Sequence, residues 1–322
     1  MKAIRIQETG GPEVLHLAEL PIPQPGAGQV LIRVEATGVN FIDIYFRKGL
    51  YKASLPLTPG SEAAGTVEEL GPGVTGFSAG DLVASTSVLG SYAEYALVPA
   101  AQLVKVPAGL APEKAAAVML QGMTAHYLAY STYPLKAGET ALVHAGAGGV
   151  GLLLTQVAKR LGVRVISTVS TEDKARLARD AGASDVILYT EQDFEAEVKR
   201  LTGGKGVDVV YDSVGKTTFE KSLNCLRPRG LLALFGASSG PVPLFDLGQL
   251  NSKGSLFITR PSLWHYLATR AELEWRASDV LGWVAKGELK LHTEFVYPLA
   301  EAAQAQSDLE GRTSTGKILL VP

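Results

Sequence analysis

The chain has 322 residues, enough for two domains of ordinary size. Hydrophobic residues make up 46% and charged residues 19%, which suits a globular protein with real cores, and no stretch approaches the ~20 apolar residues needed to cross a bilayer. A net charge of −2 supplies no basic field for nucleic acid or an acidic membrane surface, and a single cysteine, Cys225, excludes an internal disulfide.

The opening MKAIRIQETGGPE lacks the apolar segment of a secretory signal, so a cytoplasmic protein is expected. Short strands broken by Gly and Pro follow, up to about residue 120. Val30, Ile32, Val34 and Ala36 alternate with Leu31, Arg33 and Glu35, the period of a strand with one buried face. Similar runs occupy residues 63–70, 81–85 and 92–98, separated by turn formers such as GPGVTG and PAGLAPE. This predicts an antiparallel, barrel-like β domain.

From about residue 123 strands alternate with amphipathic helices. Strands are predicted at residues 140–145, 163–169, 185–188, 207–212, 231–235 and 255–258. Helices are predicted at 152–161 and at 171–181, the latter with Ser170 as N-cap. Six strands separated by helices make a doubly wound parallel sheet. A last strand-like segment, residues 317–321, stands apart from this alternation.

The first of these strands, TALVHA, runs into Gly146, Ala147, Gly148, Gly149, Val150 and Gly151 and then a helix. The spacing G-x-G-x-x-G is a weak signal alone and a strong one between a buried strand and an amphipathic helix, where a dinucleotide turn must sit. Gly146 is expected to make the tight turn, Gly148 to admit the pyrophosphate, and Gly151 to let helix and strand pack closely. About 20 positions on, where an NAD site carries an acid, the chain reads Thr168, Val169, Ser170, Thr171 and then Lys174. A hydroxyl and an ammonium there suit a 2′-phosphate, so NADPH is the expected cofactor. Glu172 and Asp173 are read as acids favoured at a helix N-terminus. His144, inside the apolar strand, is read as a core histidine. No metal is expected: four structural zinc ligands would need more than one cysteine, and none of the five histidines stands in a close ligand spacing.

Several segments together resemble the zinc-free quinone oxidoreductases of the medium-chain dehydrogenase/reductase superfamily, the zeta-crystallin-like branch. They are GVNFIDIYFRKGLY, PGSEAAGTV, GSYAEYALVP, LQGMTAHYL, HAGAGGVGLLLTQVAKRLG, VYDSVGKTTFEKSLNCLRPRG, TRPSL and LEGRTSTGKILL, spread over nearly the whole chain. Related alcohol dehydrogenases carry a zinc-binding cysteine and histidine near residues 40–42 and 61, where this chain has neither. The resemblance implies a GroES-like β-barrel catalytic domain (residues 1–122 and 265–322) and a six-stranded Rossmann domain (residues 123–264), an α/β fold. It implies NADPH in the interdomain cleft, reduction of a small quinone by hydride or electron transfer without metal, and a homodimer. The matching cofactor contacts are Asn40, Tyr45, Gln121, Thr124, Gly148, Gly149, Val150, Ser170, Lys174, Tyr189, Ser213, Phe235, Gly236, Ser238, Phe257, Thr259, Arg260 and Lys317.

Tyr45 and Tyr51 carry hydroxyls able to donate to a quinone oxygen, Asn40 could orient the ring, and Arg47 could stabilise developing negative charge. Water is the alternative proton source. Two other functional readings stand beside quinone reduction: reduction of the double bond of an enone or alkenal on the same scaffold, and an NADPH-linked RNA-binding protein without catalysis. The net charge and the lack of a basic run with interleaved aromatics stand against the last.

Overall fold

A computed structural model describes all residues, Met1–Pro322. The chain forms two compact units, Met1–Met123 with Ala268–Pro322, and Thr124–Leu267.

In the first unit, β1 (Lys2–Arg5) and β2 (His16–Glu19) make a hairpin-like antiparallel pair. A seven-stranded sheet is built from β3 (Gln29–Val39), β4 (Ala63–Leu70), β5 (Leu82–Ser85), β6 (Tyr95–Pro99), β7 (Val104–Lys105), β14 (Phe295–Pro298) and β15 (Ile318–Val321). β3 is its axis. Val30, Ile32 and Val34 point into a core with Val67, Val83, Ala96 and Val98, which explains the alternation visible in sequence. The alternation stops at Ala36, because the C-terminal half of β3 is buried throughout and pairs with β15. The isolated strand-like segment at the C-terminus thus finds its partner in β3, beside a second core of Ile4, Ile6, Val39, Leu299, Ala302, Ile318 and Leu320. The short helix α1 (Phe41–Arg47) follows β3, and α2 (Pro112–Tyr127) leaves the barrel. Helices α8 (Arg270–Ala285) and α9 (Ala302–Glu310) complete the unit.

The second unit holds six parallel strands: β8 (Thr140–Val143), β9 (Arg164–Val169), β10 (Asp185–Leu188), β11 (Val207–Asp212), β12 (Leu226–Leu234) and β13 (Phe257–Thr259). Their order is β10-β9-β8-β11-β12-β13, the two-halves arrangement of a Rossmann sheet, with direction of growth reversing between β8 and β11. The connecting helices are α3 (Gly149–Arg160), α4 (Glu172–Ala181), α5 (Phe194–Leu201), α6 (Phe219–Asn224) and α7 (Gly248–Ser252). Leu142, Ile166, Ile187, Val210 and Leu232 of the sheet pack on Phe194, Val198, Phe219 and Leu223 of α5 and α6.

Two local expectations are corrected. The N-cap of α4 is Thr171, whose hydroxyl accepts from the Lys174 N–H at 3.4 Å, and Ser170 lies one residue outside the helix. The strand predicted from residue 92 begins at Tyr95, because Tyr92 spends its backbone N–H on the Pro59 carbonyl and its carbonyl on Ile4.

Candidate active site

In the parallel sheet the candidate ligand contacts fall at or beyond the C-terminal ends of the strands, where such sheets bind ligands, except Phe257, which opens β13. The turn after β8 carries the glycines. α3 begins with Gly148 as N-cap and no side chain caps its first turn, so the amides of its first turn face outward without a side-chain acceptor. A Cβ on Gly151 would lie 2.4 Å from the Ala145 carbonyl oxygen and 2.9 Å from the Gly146 Cα, so helix and strand meet only because that atom is missing. A Cβ on Gly148 would stand 3.1 Å from the same carbonyl oxygen.

Gly146 has a different role from the one its spacing suggests. The left-handed residue of the turn is Ala145, at φ 52°, whereas Gly146 is not left-handed. The nearest obstacle to a Cβ at 146 is the Ser167 hydroxyl, at 1.7 Å, a side-chain atom that an alanine there would have to turn aside. His144 is a core histidine, as its apolar strand suggests: Nδ1 bonds Thr168 Oγ1 at 2.9 Å and Nε2 bonds Ser222 Oγ at 3.0 Å. Burial pushes its pKa down, so the ring is held neutral.

At the end of β9, Ser170 sits beside the start of the next loop, its carbonyl accepting from Thr190 Oγ1 at 3.0 Å. Tyr189, 40% exposed, is tied there by its N–H to the Val169 carbonyl. Asp173 is paired with Arg176 at 2.8 Å and Glu172 with Arg179, so both acids are satisfied on the exposed face of α4. Lys174 occupies the first turn of α4, half-buried. Beyond β11, the Ser213 carbonyl accepts from the Ser238 N–H at 3.1 Å. Gly236 approaches so closely that a Cβ would lie 2.5 Å from the Ser213 oxygen. Phe257 and Thr259 lie on edge strand β13, and Arg260 just past it donates to the Leu234 carbonyl at 3.1 Å.

The first unit gathers a second set of candidates around α1. Asn40 caps α1: its backbone N–H donates to Asp43 Oδ2 at 2.9 Å. Its side chain is held at both ends, Nδ2 donating to Glu62 Oε2 at 2.8 Å and Oδ1 accepting from Lys317 Nζ at 2.8 Å. Lys317 also donates to Glu62 Oε2, making a buried ion pair. One turn along α1, the Tyr45 ring packs edge-on against Tyr51 at 5.4 Å, and Tyr51 against Phe46 at 5.7 Å. Gln121 is buried in α2 with its side-chain oxygen lacking a hydrogen-bond partner. Thr124, where the second unit begins, is buried further along the same helix.

Arg47 does not serve as a charge stabiliser at the site. Its side chain is fully buried, donating to Gln306 Oε1 at 2.8 Å, Glu310 Oε2 at 2.6 Å and the Gly10 carbonyl at 3.3 Å. It lashes α1 to α9. Position on the signature segment suggests reactivity, but the side-chain partners Gln306 and Glu310 lie 259 and 263 residues away and leave no trace in local sequence.

Asp43 is the other group here that local sequence does not explain. Burial pushes its carboxyl up to about 7, against the lowering influence of the Asn40 N–H and the Tyr92 hydroxyl, which donates at 3.0 Å. An unfolded aspartate loses its proton near 3.8, so between that pH and about 7 the native state carries the extra proton, and stability falls as pH rises through the window. Asp43→Asn keeps the acceptor oxygen and removes the titration. The variant is therefore expected to gain stability over the wild type, by a few kcal/mol at order of magnitude, as pH is raised from ~4 to ~8. Thermal midpoints of both proteins across that range check this; a difference independent of pH would rule it out.

The two glycine-rich halves match the models of two domain families: the alcohol dehydrogenase GroES-like domain over residues 26–108, and the zinc-binding dehydrogenase domain over residues 149–271. Quinone oxidoreductase of Pseudomonas aeruginosa is 48% identical, with 100% of this chain and 99% of the relative covered. The chain belongs to the quinone oxidoreductase family of medium-chain dehydrogenases and reductases. Family membership at this level extends to a 2-haloacrylate reductase from Burkholderia sp, 45% identical with 98% of each chain covered. Escherichia coli quinone oxidoreductase solved with NADPH superimposes with a TM-score of 0.98 at 44% identity, over 100% of both chains. A mycobacterial relative solved with NADPH gives the same TM-score at 52% identity, again over 100% of both. Although one matching family model is named for zinc, no three His, Cys, Asp or Glu side chains of this quinone oxidoreductase family member converge as a metal cluster.

Proposed function

We propose that this chain is an NADPH-dependent quinone reductase. The observation that carries the cofactor assignment is the uncapped N-terminus of α3 behind a turn that tolerates no Cβ at Gly151, followed by a β9 end that presents Ser170 and Lys174 and no carboxylate facing a ribose. NADPH complexes of relatives at 44% and 52% identity support the same assignment.

The amides of Gly149 and Val150 at the start of α3 hold the pyrophosphate, where a net partial positive charge and open donors coincide. Ser170 and Lys174 hold the 2′-phosphate, and Tyr189 flanks the adenosine. Ser213, Phe235, Gly236, Ser238, Thr259 and Arg260 line the strand ends beyond, with Phe257 assigned from the start of β13. Asn40, Tyr45, Gln121 and Lys317 of the first unit, with Thr124 near the end of α2, are assigned to the nicotinamide and acceptor. When bound, NADPH supplies the reducing equivalents for the quinone. The protein contributes orientation, exclusion of water and hydrogen bonds to the quinone oxygens. Tyr45 and Tyr51, packed edge to face, bring two phenol hydroxyls to one apolar cluster and are the donors we assign to those oxygens.

Quinone-dependent NADPH oxidation by wild type and Tyr45→Phe tests the assignment. Turnover is expected to drop about 10-fold to 100-fold with NADPH affinity nearly unchanged; unaltered turnover would remove Tyr45 from the chemistry. The similarity to 2-haloacrylate reductase favours one second reading, reduction of an activated C=C bond, which the same assay separates when an enone replaces the quinone.

We also read the protein as a homodimer joined along β13, the edge strand of the parallel sheet. Phe257 on that strand is 59% exposed, with Leu244 and Leu247 exposed on the preceding segment. A sedimentation mass near twice 33.9 kDa is expected, and a mass of one chain would refute it.

A further inference from the structure

Glu62 is buried in the first unit and has no place among the ligand contacts. Its backbone is fixed just ahead of β4: the carbonyl accepts from the Gly38 N–H at 3.1 Å and from Thr37 Oγ1 at 2.7 Å. Its carboxylate meets three donors. Oε1 accepts from the Leu120 N–H at 2.5 Å in α2, and Oε2 accepts from Asn40 Nδ2 at 2.8 Å and from Lys317 Nζ. Every partner is a donor, so both oxygens must accept, and an ionised carboxylate is the side-chain group of this size that can do so. A glutamine in its place would turn an NH2 toward either the Leu120 N–H or the Lys317 ammonium.

The packing has been cleared around this carboxylate. A Cβ at Gly38 would lie 2.0 Å from Glu62 Oε2 and 2.6 Å from Lys317 Nζ, so the strand passes the pair only because residue 38 has no side chain. The consequence for Asn40 is specific. Both of its amide hydrogens are engaged, one by Glu62 and one by the Gly38 carbonyl at 3.3 Å, and its oxygen takes one hydrogen from Lys317. The orientation of the Asn40 amide is therefore set, and Asn40 can offer a ligand only the second lone pair of its oxygen. Lys317 has three hydrogens, of which Glu62 and Asn40 take two. The remaining one is directed by where those two partners stand.

We propose that Glu62 is a positioning residue for the reductase: it aims the third N–H of Lys317 and the carbonyl of Asn40 at the bound ligands. This rests on the reading, given above, that Asn40 and Lys317 contact the nicotinamide and acceptor. Glu62 touches neither ligand and acts through these two side chains. A displacement of about 1 Å in such a constellation costs on the order of 100-fold in rate.

The test is steady-state quinone-dependent NADPH oxidation by Glu62→Gln, Glu62→Asp, Lys317→Met and Asn40→Ala, with titration by 2′,5′-ADP as the readout of the adenosine end. Glu62→Gln is expected to lower kcat at least about 10-fold while its 2′,5′-ADP affinity stays within about 3-fold of wild type. Glu62→Asp keeps the charge and shortens the reach, so it still pairs with Lys317 and supports folding if the glutamine variant does not fold. The same fall in kcat is expected for it, since an aspartate cannot span from Leu120 to Lys317. A merely structural charge pair would be rescued by aspartate, and wild-type kcat in Glu62→Asp overturns the proposal. Wild-type kcat in both Glu62 variants with low kcat in Lys317→Met and Asn40→Ala overturns the positioning role alone. Wild-type kcat in all four overturns the underlying assignment of Asn40 and Lys317 as well.

Discussion

Gly151→Ala is expected to abolish tight NADPH binding and to destabilise the parallel-sheet unit. The added methyl would stand 2.4 Å from the Ala145 carbonyl oxygen and 2.9 Å from the Gly146 Cα. Both obstacles are backbone, so no side chain can rotate away, and α3 must move off the turn. Overpacking of this kind costs about 3 kcal/mol. The same shift carries the first-turn amides away from the pyrophosphate, and at least a 100-fold loss of NADPH affinity follows, because these donors act only when aimed together. Fluorescence titration with NADPH and a thermal melt of the variant check both parts. Wild-type affinity in a folded variant would show that the α3 terminus does not hold the phosphates.

Arg47→Met should cost about 2–4 kcal/mol of stability and leave the turnover of the folded enzyme unchanged. The guanidinium is wholly buried and satisfies Gln306 Oε1, Glu310 Oε2 and the Gly10 carbonyl. Removing it orphans the buried Gln306 oxygen and the carbonyl, whereas Glu310, a third exposed, keeps Lys48 as partner. The loss therefore falls on the attachment of α1 to α9. Kinetics well below the thermal midpoint separate this from a chemical role: a fall in kcat there would return Arg47 to the reacting centre.

What could be read from sequence follows from the range of each interaction. The strands at residues 63–70, 185–188 and 207–212 are reproduced residue for residue, because apolar runs bounded by turn formers determine them locally. The phosphate turn was legible for the same reason, although the crowding at Gly146 comes from the Ser167 side chain on the neighbouring strand. The first-unit network was not legible. Glu62 and Lys317 are 255 residues apart, and in a list of residues a buried glutamate is indistinguishable from the many exposed ones. Arg47 shows the opposite error: its place in the signature segment suggested chemistry, and only the fold reveals that α9 claims it. A glycine near the end of β3, Gly38, marks the close approach of other groups, but it lies past the alternation that ends at Ala36.

NADPH-dependent quinone reduction is tested most directly by measuring NADPH and NADH oxidation side by side with 1,4-benzoquinone, a naphthoquinone and an enone. The expected result is quinone-dependent turnover with a clear preference for NADPH, as the Ser170 and Lys174 end of β9 requires. Turnover with the enone alone, or an equal rate with NADH, would contradict it.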